Sequence, residues 1–121
     1  MKLFVYGTLK QGRGNHRLLN GAEYLGTFKT PKIYTLRTNG GFPIVERDGN
    51  TSITGEIYSV TNQQMLQRIY QLEGFTGQRG NQSNWYDMDM LNLPELPEQV
   101  GIFVMPKDSN PNLEVLTNGV F

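Results

Sequence analysis

The chain has 121 residues and no cysteine, with eleven basic against eleven acidic side chains, so its formal net charge at neutral pH is zero. The length suits one domain with a core of its own, residues 1–121, and the missing cysteine excludes disulfides, thiolate catalysis and Cys-based metal sites. Without a basic surplus or stripe no nucleic-acid binding is expected, and without an apolar run near the ~20 residues of a bilayer span, or a signal-peptide core in MKLFVYGTLK, the expectation is a soluble, cytoplasmic protein that does not contact a membrane.

Leu3, Phe4, Val5 and Tyr6 make a short apolar run ending at Gly7, the mark of a buried strand entering a tight loop. Gly12, Gly14 and Asn15 keep that loop irregular, and residues 16–19 suit a short helical turn. Residues 23–30 and 32–37, rich in aromatic and branched side chains, are strand candidates parted by Pro31. Asn39-Gly40-Gly41 signals a turn before a short strand at 42–46, which Arg47-Asp48-Gly49-Asn50 ends. Residues 52–60 read as the next strand, with Gly55 a bulge or a point of close approach. The N-x-Ser/Thr sequences at Asn50 and Asn81 are incidental in an intracellular protein.

Residues 62–75, NQQMLQRIYQLEGF, carry the one substantial helix. Met65, Leu66, Ile69 and Leu72 recur at helical spacing, and Glu73 follows Ile69 by four positions and Leu66 by seven. At ~100° per residue, Glu73 falls close to the centre of the apolar stripe. Gly74 suits a left-handed helix end, where the backbone dipole repels a carboxylate. Two readings are open. Glu73 is a buried general acid/base with a pKa raised by desolvation, or a structural carboxylate that bends out past Leu72 or pairs with Arg68 or Arg79.

Residues 76–84 are polar and glycine-bearing, expected as a mobile loop beside Glu73 that supplies pocket walls. In the strand predicted at 85–93, Tyr86, Met88 and Met90 share one face, and Asp87 and Asp89 lie on the other, wet face. Residues 100–105 are apolar on both faces and suit a central strand. The tail from Pro106 is loop-like, with one last short strand at 113–116. Strands around one substantial helix make the class α+β, with a curved sheet or barrel.

Few local motifs speak for themselves. Tyr6, Gly7, Thr8 and Leu9 offer backbone N–H groups that can hold an anion or a polar carbonyl, although an ordinary strand-to-loop turn explains them better when taken alone. Gly12-Arg13-Gly14 does not extend to a dinucleotide fingerprint, since Arg17 stands where the third glycine belongs. His16 is the sole histidine, which favours a loop role over metal ligation. Asp87 and Asp89 with Glu56 form a conceivable cation set, but a solvated strand face accounts for them better. No serine stands in a nucleophile elbow.

Taken together the pieces resemble a known family. VYGTLKQGRGNHRLL at 5–19, Phe42-Pro43-Ile44-Val45, GEIYSV at 55–60, IYQLEGF at 69–75 and the closing strands at 100–104 and 117–121 resemble the gamma-glutamylcyclotransferases, most closely their gamma-glutamylaminecyclotransferase branch. The resemblance spans nearly the whole chain and keeps the family's motif order. It implies a small mixed β-barrel with flanking helices and one side pocket. Tyr6, Gly7, Thr8 and Leu9 would hold the glutamyl moiety, Tyr86 would join them, and Glu73 would be the catalytic base. The implied reaction turns a small gamma-glutamyl amine or peptide into 5-oxoproline and a free amine, with no cofactor and no metal.

Three positions depart from the family pattern. Tyr70 replaces an aspartate three residues before the glutamate, Met88 an arginine two residues after the tyrosine matching Tyr86, and Phe103 a tyrosine on the late central strand. These changes keep a second reading in play, a module that binds a small metabolite in the same pocket without turning it over.

Overall fold

Strand β1 (Lys2–Val5) explains most of the architecture. Leu3, Phe4 and Val5 are all buried because β1 is flanked on both edges and covered on both faces. In the computed structural model, which describes residues 1–106 and 112–121, β1 runs antiparallel to β5 (Thr54–Ser59) and parallel to β7 (Val100–Val104). The larger sheet has the order β2-β5-β1-β7-β6, with β2 (Glu23–Lys29) and β6 (Asp87–Leu91) as its edges. A second sheet has the order β4-β3-β8, from β4 (Pro43–Arg47), β3 (Tyr34–Thr38) and β8 (Glu114–Val115).

The pleat of β1 divides the interior in two. Leu3 and Val5 face a core shared with the helix α1 (Gln63–Glu73), where they meet Leu66, Ile69 and Tyr70. Phe4 and Tyr6 face the other way, into a core shared with Tyr34, Leu36 and Val45 of the second sheet. A strand buried on both faces must be apolar at every position, which is why its sequence shows no alternation.

The α+β class holds, but the strands do not close into a barrel. The sheets are linked through a parallel bridge between Glu46 and Met105, where the Met105 N–H donates to Val45 O at 2.7 Å. In place of flanking helices, the described residues hold α1 and a 3-10 turn at His16–Leu19. No helix among them is long and apolar enough to cross a membrane.

Helix α1 is bounded by its own sequence. Asn62 caps the N-terminus by accepting the Met65 N–H on Oδ1 at 3.0 Å. Gly74 ends it with φ 65°, its N–H turned back to Gln71 O and the Phe75 N–H to Tyr70 O at 2.9 Å. The buried stripe runs Leu66, Ile69, Tyr70 and not through Leu72, which is exposed. Leu72 lies six residues from Leu66, about 240° round the helix and off the core face. Glu73 stays on the stripe.

The wet face expected of β6 is only partial. Asp87 is buried, accepting the N–H groups of Gly80 and Met88 at 3.1 and 2.8 Å. Arg47 reaches across from β4 to Asp89 at 2.8 Å and to Asp87 at 3.6 Å. These partners let Asp87 leave water while Asp89 stays partly exposed, so the alternating pattern here marks an ion-pair seam at the edge of the solvated surface.

Candidate active site

The chain leaves β1 through Tyr6, Gly7, Thr8 and Leu9. The carbonyls from Gly7 to Leu9 are all engaged. The Lys10 N–H donates to Gly7 O at 3.1 Å, the Asn15 N–H to Thr8 O at 2.9 Å, and His16 Nδ1 to Leu9 O at 2.9 Å. Asn15 also donates through Nδ2 to Thr8 Oγ1 at 2.9 Å. The N–H groups of Gly7, Thr8 and Leu9 make no hydrogen bond among the described residues. His16 thus fills the loop role that its isolation in the sequence suggested. Gly7 must be glycine for a packing reason, since a Cβ there would lie 2.7 Å from Pro43 Cγ. The bare backbone lets the segment entering β4 close down on the loop.

Glu73 arrives from the opposite side, on the last turn of α1. The helix end is stitched to the chain entering β6, for the Trp85 N–H donates to Gly74 O at 2.8 Å and the Tyr86 N–H to Glu73 O at 3.2 Å. Carbonyls left over at a helix C-terminus are satisfied in this way, and Tyr86 is fixed next to Glu73. Gly74 serves both requirements, left-handed backbone and room for Trp85, whose Cβ would sit 2.7 Å from a Cβ at position 74.

These segments enclose a cavity of about 400 Å³. Tyr6, Gly7, Thr8, Leu9, Glu73 and Tyr86 all line it, so the six residues singled out in the sequence lie around one space. The Glu73 carboxylate makes no hydrogen bond or ion pair among the described residues, and burial pushes its pKa from the usual carboxylate range up to about 7. Neither ion pair considered for Glu73 forms among the described residues: Arg79 donates Nε to Met88 O at 2.8 Å, and no salt bridge joins Glu73 to Arg68. Glu73 keeps partial contact with solvent through the cavity.

The two tyrosines have committed protons. Tyr6 donates its hydroxyl to Phe103 O at 2.6 Å and Tyr86 to Pro43 O at 2.9 Å. Burial, above all, raises both phenol pKa values far above neutrality, and the nearby Glu73 carboxylate adds to the effect. Each oxygen therefore remains a neutral acceptor.

Tyr70, Met88 and Phe103, the three departures, belong to one buried cluster with Phe75 and Tyr86. The Tyr70 ring meets Phe75 edge-on at 4.9 Å and Phe103 at 6.3 Å between centroids. The three side chains thus pack into one largely apolar layer, and Phe103 lines the cavity directly.

Sequence reasoning missed part of the wall. Asn15, Gly41, Phe42, Pro43, Leu72 and Trp85 line the cavity, whereas no residue of 76–84 does. That loop is closed on itself: Asn84 Oδ1 accepts the Thr76 N–H and hydroxyl, each at 2.8 Å, and Asn84 Nδ2 donates to Gln78 O at 2.9 Å. Phe42 and Trp85 stand at the first positions of the strands predicted at 42–46 and 85–93, and nothing local in the sequence marks either as a wall residue. No group of three or more His, Asp or Glu among the described residues could hold a metal ion. Glu56 accepts instead from the Gln11 N–H at 2.9 Å and the Tyr58 hydroxyl at 3.1 Å.

Comparison with known proteins is consistent with this geometry. The model of the family described as "Gamma-glutamyl cyclotransferase, AIG2-like" matches residues 3–121. A Vibrio cholerae protein provisionally named a gamma-glutamylcyclotransferase is 41% identical over 66 residues, 54% of this chain and 56% of that protein. The gamma-L-glutamyl-butirosin B gamma-glutamyl cyclotransferase of Niallia circulans is 34% identical over 85 residues, 70% of this chain and 53% of that protein. The matches thus span little more than half the length of these curated relatives. In fold, the chain is similar to the crystal structure of an AIG2-like protein from Mus musculus, with a TM-score of 0.76, 23% identity, and coverage of 99% of this chain and 86% of that one.

Proposed function

Since the chain belongs to the gamma-glutamyl cyclotransferase, AIG2-like family, we propose that it converts a small gamma-glutamyl amine or peptide into 5-oxoproline and the free amine. The observation that carries the reading is a carboxylate with a pKa near 7 in the same cavity as the N–H groups of Gly7, Thr8 and Leu9, which have no acceptor among the described residues. A base poised near the working pH can both take and return a proton.

The reaction is an intramolecular acyl transfer. The substrate α-amine is an ammonium at neutral pH, and Glu73 takes one of its protons. The freed nitrogen attacks the γ-carbonyl carbon, a new C–N bond closes the five-membered ring, and the bond to the leaving nitrogen breaks. Glu73 then delivers its proton to that nitrogen, and the second proton that the ring nitrogen sheds as the lactam forms passes to the released amine, which leaves as an ammonium. Holding the flexible glutamyl chain bent is a large part of the catalysis, since effective molarities reach roughly 10⁵ M or more for well-oriented intramolecular reactions. The loop N–H groups hold substrate oxygens and stabilise charge developing on them. Tyr6 and Tyr86 have given their protons to backbone carbonyls, so their oxygens serve as acceptors that aim the ammonium at Glu73.

The test is 5-oxoproline release across a panel of gamma-glutamyl compounds, run beside Glu73→Gln. Wild-type turnover that disappears in a folded variant supports the mechanism, and turnover that survives unchanged removes Glu73 from it. A second reading, a metabolite-binding module without turnover, is favoured by the apolar cluster of Tyr70, Met88 and Phe103. Mass spectrometry of small molecules released from the purified protein separates the two, because a binding module yields its ligand intact.

A further inference from the structure

Three large apolar side chains are left in solvent around the cavity mouth. Phe42 is 41% exposed, Leu72 43% and Trp85 66%, and all three line the same cavity as Glu73. They come from three separate segments: the turn before β4, the last turn of α1, and the chain entering β6. Exposed apolar groups scattered singly need no explanation, whereas three converging on one opening form a binding surface. The charge of the wall is equally specific. No Lys, Arg or His is among the described residues that line the cavity, and its one ionisable carboxyl is Glu73.

We propose that the amine released from the substrate carries an apolar group without a carboxylate, and that Phe42, Leu72 and Trp85 hold this group. The proposal rests on the cyclisation reading above and adds the chemistry of the leaving group to it. The polar demands of the glutamyl half, one carboxylate and one ammonium, are matched by the free N–H groups of Gly7–Leu9 and by Glu73 with its two tyrosines. Nothing among the described wall residues is left to neutralise a second carboxylate, which a gamma-glutamyl amino acid brings on its leaving side. Such a group would lose water against aromatic surface and face the like charge of Glu73. An alkyl or aryl group there gains from every apolar area it covers.

The chain's one tryptophan is Trp85, so its fluorescence reports on the mouth directly. The decisive pair is gamma-glutamyl-phenethylamide against gamma-glutamyl-phenylalanine, which differ by one carboxylate. Gamma-glutamyl-methylamide serves as the reference without an apolar group. In 5-oxoproline release, kcat/KM should favour the phenethylamide over the other two by about tenfold or more. Trp85→Ser should shrink its advantage over the methylamide.

Equal or better use of the phenylalanine compound overturns the proposal, as does equal use of the methylamide. If no compound releases 5-oxoproline, the cyclisation reading fails, and the same ligands titrated against Trp85 fluorescence still judge the mouth. Binding of the phenethylamide about tenfold tighter than either comparison upholds the apolar subsite. Equal binding ends it.

Discussion

Two loops approach Glu73, and they differ in what is done with their polar groups. The loop of Tyr6, Gly7, Thr8 and Leu9 engages its carbonyls from Gly7 onward and leaves three N–H groups without an acceptor among the described residues, at the edge of a cavity. The loop at 76–84 spends its polar groups internally, through Asn84 and Asp87, and contributes nothing to the cavity wall. Composition alone would favour the loop at 76–84 as the site, since it is richer in amides, hydroxyls and an arginine. A polar group already paired within the protein offers a ligand little. Capacity to bind depends on which donors folding leaves over, and not on how many the sequence supplies.

The comparison can be broken from either side, and the largest expected effect lies at the residue between the loops. Glu73→Gln should lower kcat for 5-oxoproline release by about 10²–10⁴-fold, the range of a general acid/base, with circular dichroism unchanged. Gly7→Ala comes next. Its Cβ would push into Pro43 and move the free N–H groups, and misplacement of about 1 Å costs on the order of 100-fold in kcat/KM. If Gly7→Ala keeps full activity, the loop is not the binding element.

The carboxylate itself should cost stability. With its folded pKa raised to about 7 from the ordinary 4.5, native protein holds the Glu73 proton more tightly than unfolded chain does. The native state therefore loses stability as pH rises from about 4.5 to 7, by at most about 3 kcal/mol. Glu73→Gln removes that titration, so its Tm should match wild type near pH 4.5 and exceed it at pH 8. A Tm difference that is constant over this range contradicts the burial assigned to Glu73.

On the saturated loop the expectation reverses. Asn84→Ala orphans the Thr76 N–H and should cost about 1–3 kcal/mol, read as a lowered Tm, with kcat per folded molecule held within about twofold since no reacting group moves. Smallest of all, Gln64→Ala, on the far side of α1 from the cavity, should stay within about ±0.5 kcal/mol, as surface substitutions usually do.

Legibility followed the range of the interactions. The position of Glu73 on the core face and the role of Gly74 depend on residues within one or two helical turns, and local periodicity is enough to find them. The same periodicity included Leu72 wrongly, because apolar character was counted where the angle around the helix should have decided. Tyr70 takes the buried place, and its ring is needed there only because Phe75 and Phe103 stand opposite. The expected barrel does not close: the two sheets meet at the isolated bridge of Glu46 and Met105, a pairing between distant segments that no local pattern shows. The wet face of β6 is partial because Arg47, forty positions before Asp87 in the chain, supplies its counter-charge. Phe42 and Trp85 meet at the cavity from segments just as far apart, and no local pattern announces that.

The bonds from Trp85 and Tyr86 back to Gly74 and Glu73 have a consequence for how this chain tolerates change. They anchor both feet of the intervening segment to one spot, so whatever hangs between them is mechanically decoupled from the carboxylate. Lengthening that segment near its tip, between Asn81 and Ser83, gives up the turn bonds from the Ser83 and Asn84 N–H groups to Asn81 and adds slowly growing closure entropy, while the bonds to Gly74 and Glu73 lie outside the insertion. The molecule thus carries, on the loop next to its most sensitive residue, a natural attachment point for a reporter or a second module.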